Sequence, residues 1–435
     1  MDLSAADQRH VWHPFTQART APVPVPVRAA RGAILYGEDG REYVDLISSW
    51  WVTLHGHAHP AIAGAIAAQA HVLEQVIFAG FTHSGAVELA GRLAALLPGD
   101  LNRVFYSDDG STAVEVALKI AAQYWHNLGQ RRRTRFLAFE GGYHGDTVGA
   151  MSAGRSSGFF APFAGMMFAV EMLPFPATWD GDDEVESKEA GALAALDSWL
   201  DRFGGEGAAL ILEPLIQGSA GMRMCRPQFV AQVAARVRSA GMLLILDEVM
   251  TGFGRTGALF ACQKAEVTPD LICLAKGLTG GFLPMAVTVC RDSIYDAFQA
   301  EDFDRAFAHG HSFTANPLGC AAALASLDLT LSPSTAEAIV AIESHHRARM
   351  ASLAGIPGLA RARVTGTVAA IDVVSGETEG YHAAVGPKLK AFFLGRGLLL
   401  RPLGNVVYVL PPYCITAEQL DRAYDAIEAF VTGPT

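Results

Sequence analysis

Short, uninterrupted apolar runs recur through the middle of the chain, at 136–139, 208–212, 242–246 and 271–275. Helical periodicity fills the intervals. After Gly110 and Ser111, for example, Ala113, Ala117, Ile120, Ala121 and Tyr124 recur at helical spacing over 113–126. Periodicity alone equally allows buried helix segments for such runs. Their shortness, and the polar or glycine residue that ends each one, favour strands apolar on both faces, as in a mostly parallel sheet covered by helices. Alternating proline over 21–27 excludes a helix and predicts an extended arm. Glu38, Asp39, Gly40 and Arg41 mark a hairpin turn within 31–47. Toward the C-terminus, helices over 334–353 and 417–431 with strands over 364–374 and 406–410 predict a smaller α+β unit. The expected division is 1–59 for an N-terminal arm and small-domain segment, 60–325 for a large domain, and 326–435 for the C-terminal small domain.

Composition supports folding on this scale. A chain of 435 residues, 51% hydrophobic and 18% charged, is long enough for two or three cores and carries no sign of disorder. A net charge of −11 argues against nucleic acid and anionic membrane as partners. The basic run 131–135 reads as a solvated helix end and the acidic stretch 180–189 as a surface loop. The six cysteines, Cys225, Cys262, Cys273, Cys290, Cys320 and Cys414, lack paired spacing and read as buried thiols in a reducing compartment. The first residues lack a basic stretch followed by an apolar core, and no apolar run approaches the ~20 residues that span a bilayer. The expectation is a soluble, cytoplasmic protein.

The chemistry sits where the runs end. Asp247 follows 242–246, Lys276 follows 271–275, Glu213 follows 208–212, and Tyr143 lies in the glycine-rich loop after 136–139. Ligands bind at the carboxyl ends of the strands of an open parallel sheet. A buried aspartate must be paired, and a buried lysine has a lowered pKa suited to carbonyl attack. A salt bridge between the two is the structural alternative. One ligand satisfies both: pyridoxal 5′-phosphate (PLP), whose pyridine nitrogen takes the carboxylate and whose aldehyde takes the amine. Its phosphate suits the helix start at Gly110 and Ser111, although an ordinary capped helix reads the same way. Tyr143 is placed to stack on the ring, and Val249, two residues beyond Asp247, to press on the other face. Core packing is the alternative for Val249. His55, His57 and His59 alternate, but without a cysteine or carboxylate nearby in sequence they are not read as a metal site. Gly252, Gly254 and Gly257 are too loosely spaced for a dinucleotide fingerprint. Trp50 and Trp51, if in a strand, face opposite ways, so that only one reaches the site unless the chain turns there.

The stretch 246–257, Leu-Asp-Glu-Val-Met-Thr-Gly-Phe-Gly-Arg-Thr-Gly, with 269–281, Pro-Asp-Leu-Ile-Cys-Leu-Ala-Lys-Gly-Leu-Thr-Gly-Gly, resembles the signature of the class-III aminotransferases. The motifs 12–16, 48–51, 143–147, 401–408 and 411–413 extend the resemblance over about 8–430, toward members acting on a long aliphatic keto substrate. It implies an α/β PLP-dependent transferase of fold type I, and a homodimer with active sites shared between subunits. Lys276, Asp247 and Tyr143 are the implied catalytic set, with Gly110, Ser111, Val249, His311 and Ser312 added for the cofactor. Ser312 is expected to reach the phosphate in the partner subunit. Phe15, Trp50, Trp51, Tyr143, Asp146 and Gly310 are expected around the substrate, with Arg401 on its carboxylate. The resemblance implies S-adenosylmethionine as amino donor. Phe15 stands where some members have tyrosine and His311 where some have proline, which bears on donor choice. Another class-III ω-amino acid or diamine aminotransferase, an aminomutase and a non-catalytic PLP-binding protein are the alternatives.

Overall fold

Seven strands build the central sheet: β1 (Leu101–Ser107), β2 (Arg135–Phe139), β3 (Val170–Leu173), β4 (Gly207–Leu212), β5 (Leu243–Asp247), β6 (Leu271–Leu274) and β7 (Ala286–Arg291). Their order is β1-β7-β6-β5-β4-β2-β3. The computed structural model describes residues 3–433 other than Ser157, Ser375, Glu377, Thr378 and His382. The pairings β6-β5-β4-β2-β3 are parallel, and β7 runs antiparallel to both of its neighbours. Every residue of β4, β5 and β6 is buried, as strands covered on both faces require. Each fully buried Leu or Ile there contributes about 1.5–3 kcal/mol. The four apolar runs are all strands of this sheet. β1, β3 and β7 were not foreseen; β1 and β3 lie at the edges, where exposed positions interrupt the apolar pattern.

Besides a two-stranded pair, Ile216–Gln217 with Arg223–Met224, two smaller sheets accompany the first. Val27–Arg31, Ile34–Gly37 and Glu42–Asp45 form antiparallel pairs around the expected hairpin turn, and Leu398–Leu399 joins them in parallel. Leu359–Thr365, Val368–Val373 and Val406–Val409 form the third. The stretch 364–374, read as one strand, is therefore parts of two, because Gly366 (φ +57°) turns the chain. Two surface readings also change. Helix Gly110–Asn127 ends before the basic run, where Arg133 stacks over Trp125 at 4.5 Å and donates to Gly204 and Gly207, and Arg135 opens β2. The acidic stretch enters helix Val185–Phe203, and Glu189 is buried against Arg226. Of the cysteines, five are buried and Cys414 is exposed. Among the described residues no helix is long and apolar enough to cross a membrane.

Helix Pro333–Leu353 packs against helix Ala417–Thr432 through fully buried His346. Its Nδ1 accepts from the Tyr424 hydroxyl at 2.6 Å, and Nε2 donates to the Thr367 carbonyl at 3.2 Å. The neutral ring satisfies both contacts. Burial lowers its pKa from 6.5 to about 3. As pH falls below the ordinary value the unfolded chain takes up a proton that the folded chain refuses. The stability present above pH 6.5 is thus progressively lost toward pH 3. Between about pH 7.5 and pH 5 the loss through this residue is about 2 kcal/mol. Urea melts at the two pH values should show a smaller drop for His346→Gln than for the parent; equal drops would assign the acid sensitivity elsewhere.

Candidate active site

A cavity of about 790 Å³ opens at the carboxyl ends of β1, β2, β4, β5 and β6. This is the edge of a parallel sheet where ligands bind. Asp247 ends β5 and is 4% exposed. Its Oδ2 lies 2.7 Å from His144 Nδ1, and its Oδ1 accepts from the Val249 amide at 3.1 Å. Burial disfavours the charged imidazole, but the hydrogen bond and charge of Asp247 outweigh it and raise the His144 pKa. Glu213, at the end of β4, accepts from the amides of Tyr143 and Gly218 at 3.0 Å each. Burial pushes its carboxyl up to about 7, against the pull of His144 and with the repulsion of Asp247.

Lys276 follows β6 on a single 3₁₀ turn and has a positive φ of 39°. Its Nζ lies 5.2 Å from the Trp51 ring centroid. Desolvation lowers its pKa, with Asp247 and Glu213 working in the other direction. The turn places this amine in the same cavity as Asp247. The salt-bridge alternative is not what holds the aspartate: its close partner is His144, which the loop after β2 carries across 103 residues of sequence.

Gly110 and Ser111 open the 18-residue helix Gly110–Asn127. Asp109 caps it, accepting from the Thr112 amide at 2.9 Å. The ordinary capped start is therefore real, and it also faces the cavity. A Cβ on Gly110 would come within 2.5 Å of Val249 Cγ1, so only glycine lets the two walls approach there. Ser111 Oγ meets Thr147 Oγ1 at 2.7 Å and accepts from the Thr147 amide at 2.9 Å, tying the helix start to the loop that carries Tyr143. A buried carboxylate, a desolvated amine and a helix N-terminus with glycine and serine converge on one cavity. That donor set fits a phosphorylated pyridine aldehyde.

Trp50 and Trp51 lie on a tight turn rather than a strand. Ser48, Ser49 and Trp51 all have positive φ, and Ser49 and Trp50 are non-helical within it. Asp45 holds the turn by accepting from the amides of Ile47 and Ser49, and Ser48 Oγ donates to the Leu410 carbonyl. Trp51 Nε1 donates to the Tyr408 hydroxyl at 2.9 Å. Because the chain turns, both indoles line the cavity. Arg401 lies over Trp50 with Cζ 4.2 Å from the ring centroid. Tyr143 donates from its hydroxyl to Asp146 at 2.9 Å, and its pKa is raised by burial first and then by that carboxylate. Phe15, Tyr143, Asp146 and Val249 join the lining.

Gly310, His311 and Ser312 do not line this cavity. His311 Nδ1 lies 3.2 Å from Asp108, which does, and the Ser312 carbonyl accepts from Gln75 at 2.6 Å. Of the three alternating histidines, His57 turns away to pair with Asp45 at 2.8 Å, while His55, buried beside Ser326 and Thr330, meets the His59 ring edge-on with centroids 6.2 Å apart. His144, Tyr408 and Phe159 are site residues without a sequence-derived role. His144 alone carried a signal, as the polar residue after Tyr143 at a strand end.

Residues 15–431 match the family described as "Aminotransferase class-III". The adenosylmethionine-8-amino-7-oxononanoate aminotransferase of Synechococcus elongatus is 58% identical over 96% of this chain and 97% of its own length. The crystal structure of the Methanocaldococcus jannaschii protein of the same description is 33% identical, with a TM-score of 0.91, covering 99% of this chain and 98% of that one. A PLP-bound amine transaminase from an uncultivated Pseudomonas species is 29% identical, with a TM-score of 0.91, covering 97% of this chain and 98% of its own.

Proposed function

Because the chain belongs to the class-III aminotransferases, we propose that it converts 8-amino-7-oxononanoate to 7,8-diaminononanoate, a step of biotin biosynthesis, with S-adenosylmethionine as amino donor. Its cofactor is PLP. The observation that carries the substrate reading is the 58% identity along nearly the whole chain to a relative of that description. The cavity agrees with it: Lys276 stands at Trp51 and Arg401 at Trp50, so adjacent indoles bridge an amine end and a guanidinium end.

When bound, PLP supplies an electron sink for charge developing on the carbon that carries the transferred amine. Lys276 holds the cofactor and moves that carbon's proton on Nζ, a task its lowered pKa favours. Asp247 takes the pyridine nitrogen, and His144 orients the carboxylate from behind. Gly110 and Ser111 hold the phosphate, with Val249 and Tyr143 about the ring. Trp50, Trp51, Phe15, Tyr143 and Asp146 enclose the substrate, and Arg401 grips its carboxylate.

The enzyme acts as a cytoplasmic homodimer on this reading. Gly310, His311 and Ser312 leave their own cavity, and Ser312 serves the phosphate of the partner subunit. The exposed Phe313, Phe81 and Ile77, 58%, 63% and 64% accessible, support a second copy over this face.

An amino-donor panel tests the reading. Cofactor-loaded protein should change its near-visible absorbance on adding S-adenosylmethionine, and then yield the diamine on adding the keto acid. A response only to lysine or an ω-amino acid would refute the donor. In the same assay, Arg401→Ala should raise the KM for the keto acid about 10- to 100-fold, the worth of a charge-assisted pair, with cofactor retained. Cofactor loss would contradict the role of Arg401.

A further inference from the structure

The outer rim of the cavity is a run of aromatic rings drawn from separate segments. Phe15, on the N-terminal arm, meets Trp50 edge-on with centroids 5.7 Å apart and planes at 69°. It meets Phe159 at 5.7 Å and 84°. Phe159 in turn meets Tyr381 at 4.6 Å and 89°. All four rings line the cavity. Phe159 and Phe160 are consecutive on the 3₁₀ segment Gly158–Met166. Phe160 is 2% exposed and stacks behind Tyr143 at 6.1 Å and 20°. A Cβ on Gly154 would meet the Phe160 ring at 3.2 Å, so this anchor is closely packed. The segment is thus held at Phe160 and presents half-buried Phe159 to the cavity.

We infer that Phe159 is a specificity-determining residue: with Phe15 and Tyr381 it walls the carboxylate end of the slot that takes the aliphatic chain of the keto acid. The inference rests on the substrate reading above. A ligand reacting beside Lys276 and bound at Arg401 lays its methylenes along the Trp51–Trp50 pair. The rings next to Trp50 then set how much chain the slot accepts. Edge-to-face contacts fix the rings against one another, so the wall is preformed rather than moulded by the ligand. Phe15 carries no hydroxyl, and its two ring contacts make this part of the wall apolar.

The test compares the parent with Phe159→Ala and Phe159→Leu, using 8-amino-7-oxononanoate and an analogue two methylenes shorter. Phe159→Ala should raise the KM for the longer ketone about tenfold, as for lost methylene contacts in an apolar pocket. kcat should change little, and the preference for the longer over the shorter ketone should fall. Phe159→Leu should restore most of that preference. Calorimetric affinity of the borohydride-inactivated holoenzyme for the longer ketone should fall in parallel. Thermal melts and cofactor content should match the parent; if Phe159→Ala does not fold, Phe159→Leu decides by a smaller shift in the same direction. An unchanged length preference and affinity would overturn the inference alone. A parent enzyme that aminates neither ketone would overturn the substrate reading instead.

Discussion

Lys276→Ala is expected to lower transamination about 10⁴-fold while the chain folds normally. On the proposed reading two functions go together, covalent hold on the cofactor and proton movement at Nζ, and alanine replaces neither. Stability should respond in the opposite direction to activity. The folded lysine has a lowered pKa because it is desolvated. The unfolded lysine holds its proton up to its ordinary value of 10.5. Stability present above that value is lost as pH falls toward the folded pKa, so at neutral pH the side chain is a cost to the cofactor-free fold. Cofactor-free Lys276→Ala should therefore melt no lower than the cofactor-free parent at pH 7. Steady-state rates and paired thermal melts check both statements. Activity within tenfold of the parent, or a marked drop in melting temperature, would reduce Lys276 to a structural residue.

Asp247→Asn is expected to lower kcat about 10³-fold with the cavity intact. Asparagine keeps the shape and removes the charge that faces His144 and that, on the proposed reading, takes the cofactor's ring nitrogen. Without it, burial is the dominant influence on His144, and its pKa should move from above the ordinary histidine value to below it. Imidazole resonances followed by NMR across pH read this directly. Because the buried pair loses one charged partner while a hydrogen-bonding group remains, the stability cost should be about 1–3 kcal/mol. A variant with parental kcat but a shifted His144 titration would confine Asp247 to holding His144 and remove it from catalysis.

The site was unevenly legible in the sequence. Asp247, Lys276 and Glu213 were readable because each ends an all-buried strand, where a charged group is costly unless it has a partner. His144 was not assigned a role, since its partner lies 103 residues away and its place after Tyr143 at a strand end does not by itself say what it meets. The Trp pair was left open by period-two reasoning. Asp45, Leu410 and Tyr408 decide its geometry, and two of them come from the far end of the chain. The basic run was misread because Arg133 finds Trp125 and three backbone carbonyls that only the folded chain brings to it.

Sequence by itself determined the strand-and-helix alternation, the hairpin at Asp39 and Gly40, and the strand-end positions of Asp247 and Lys276. Those features depend on local periodicity, turn chemistry and the cost of burying charge, all of which act over a few residues. Tertiary structure decided which groups meet: Asp247 with His144, Lys276 with Trp51, Arg401 with Trp50, and Phe15 with Phe159. Such contacts depend on strand order and on turns held by distant partners, and the parallel sheet supplies them by bringing loops far apart in the chain to one edge.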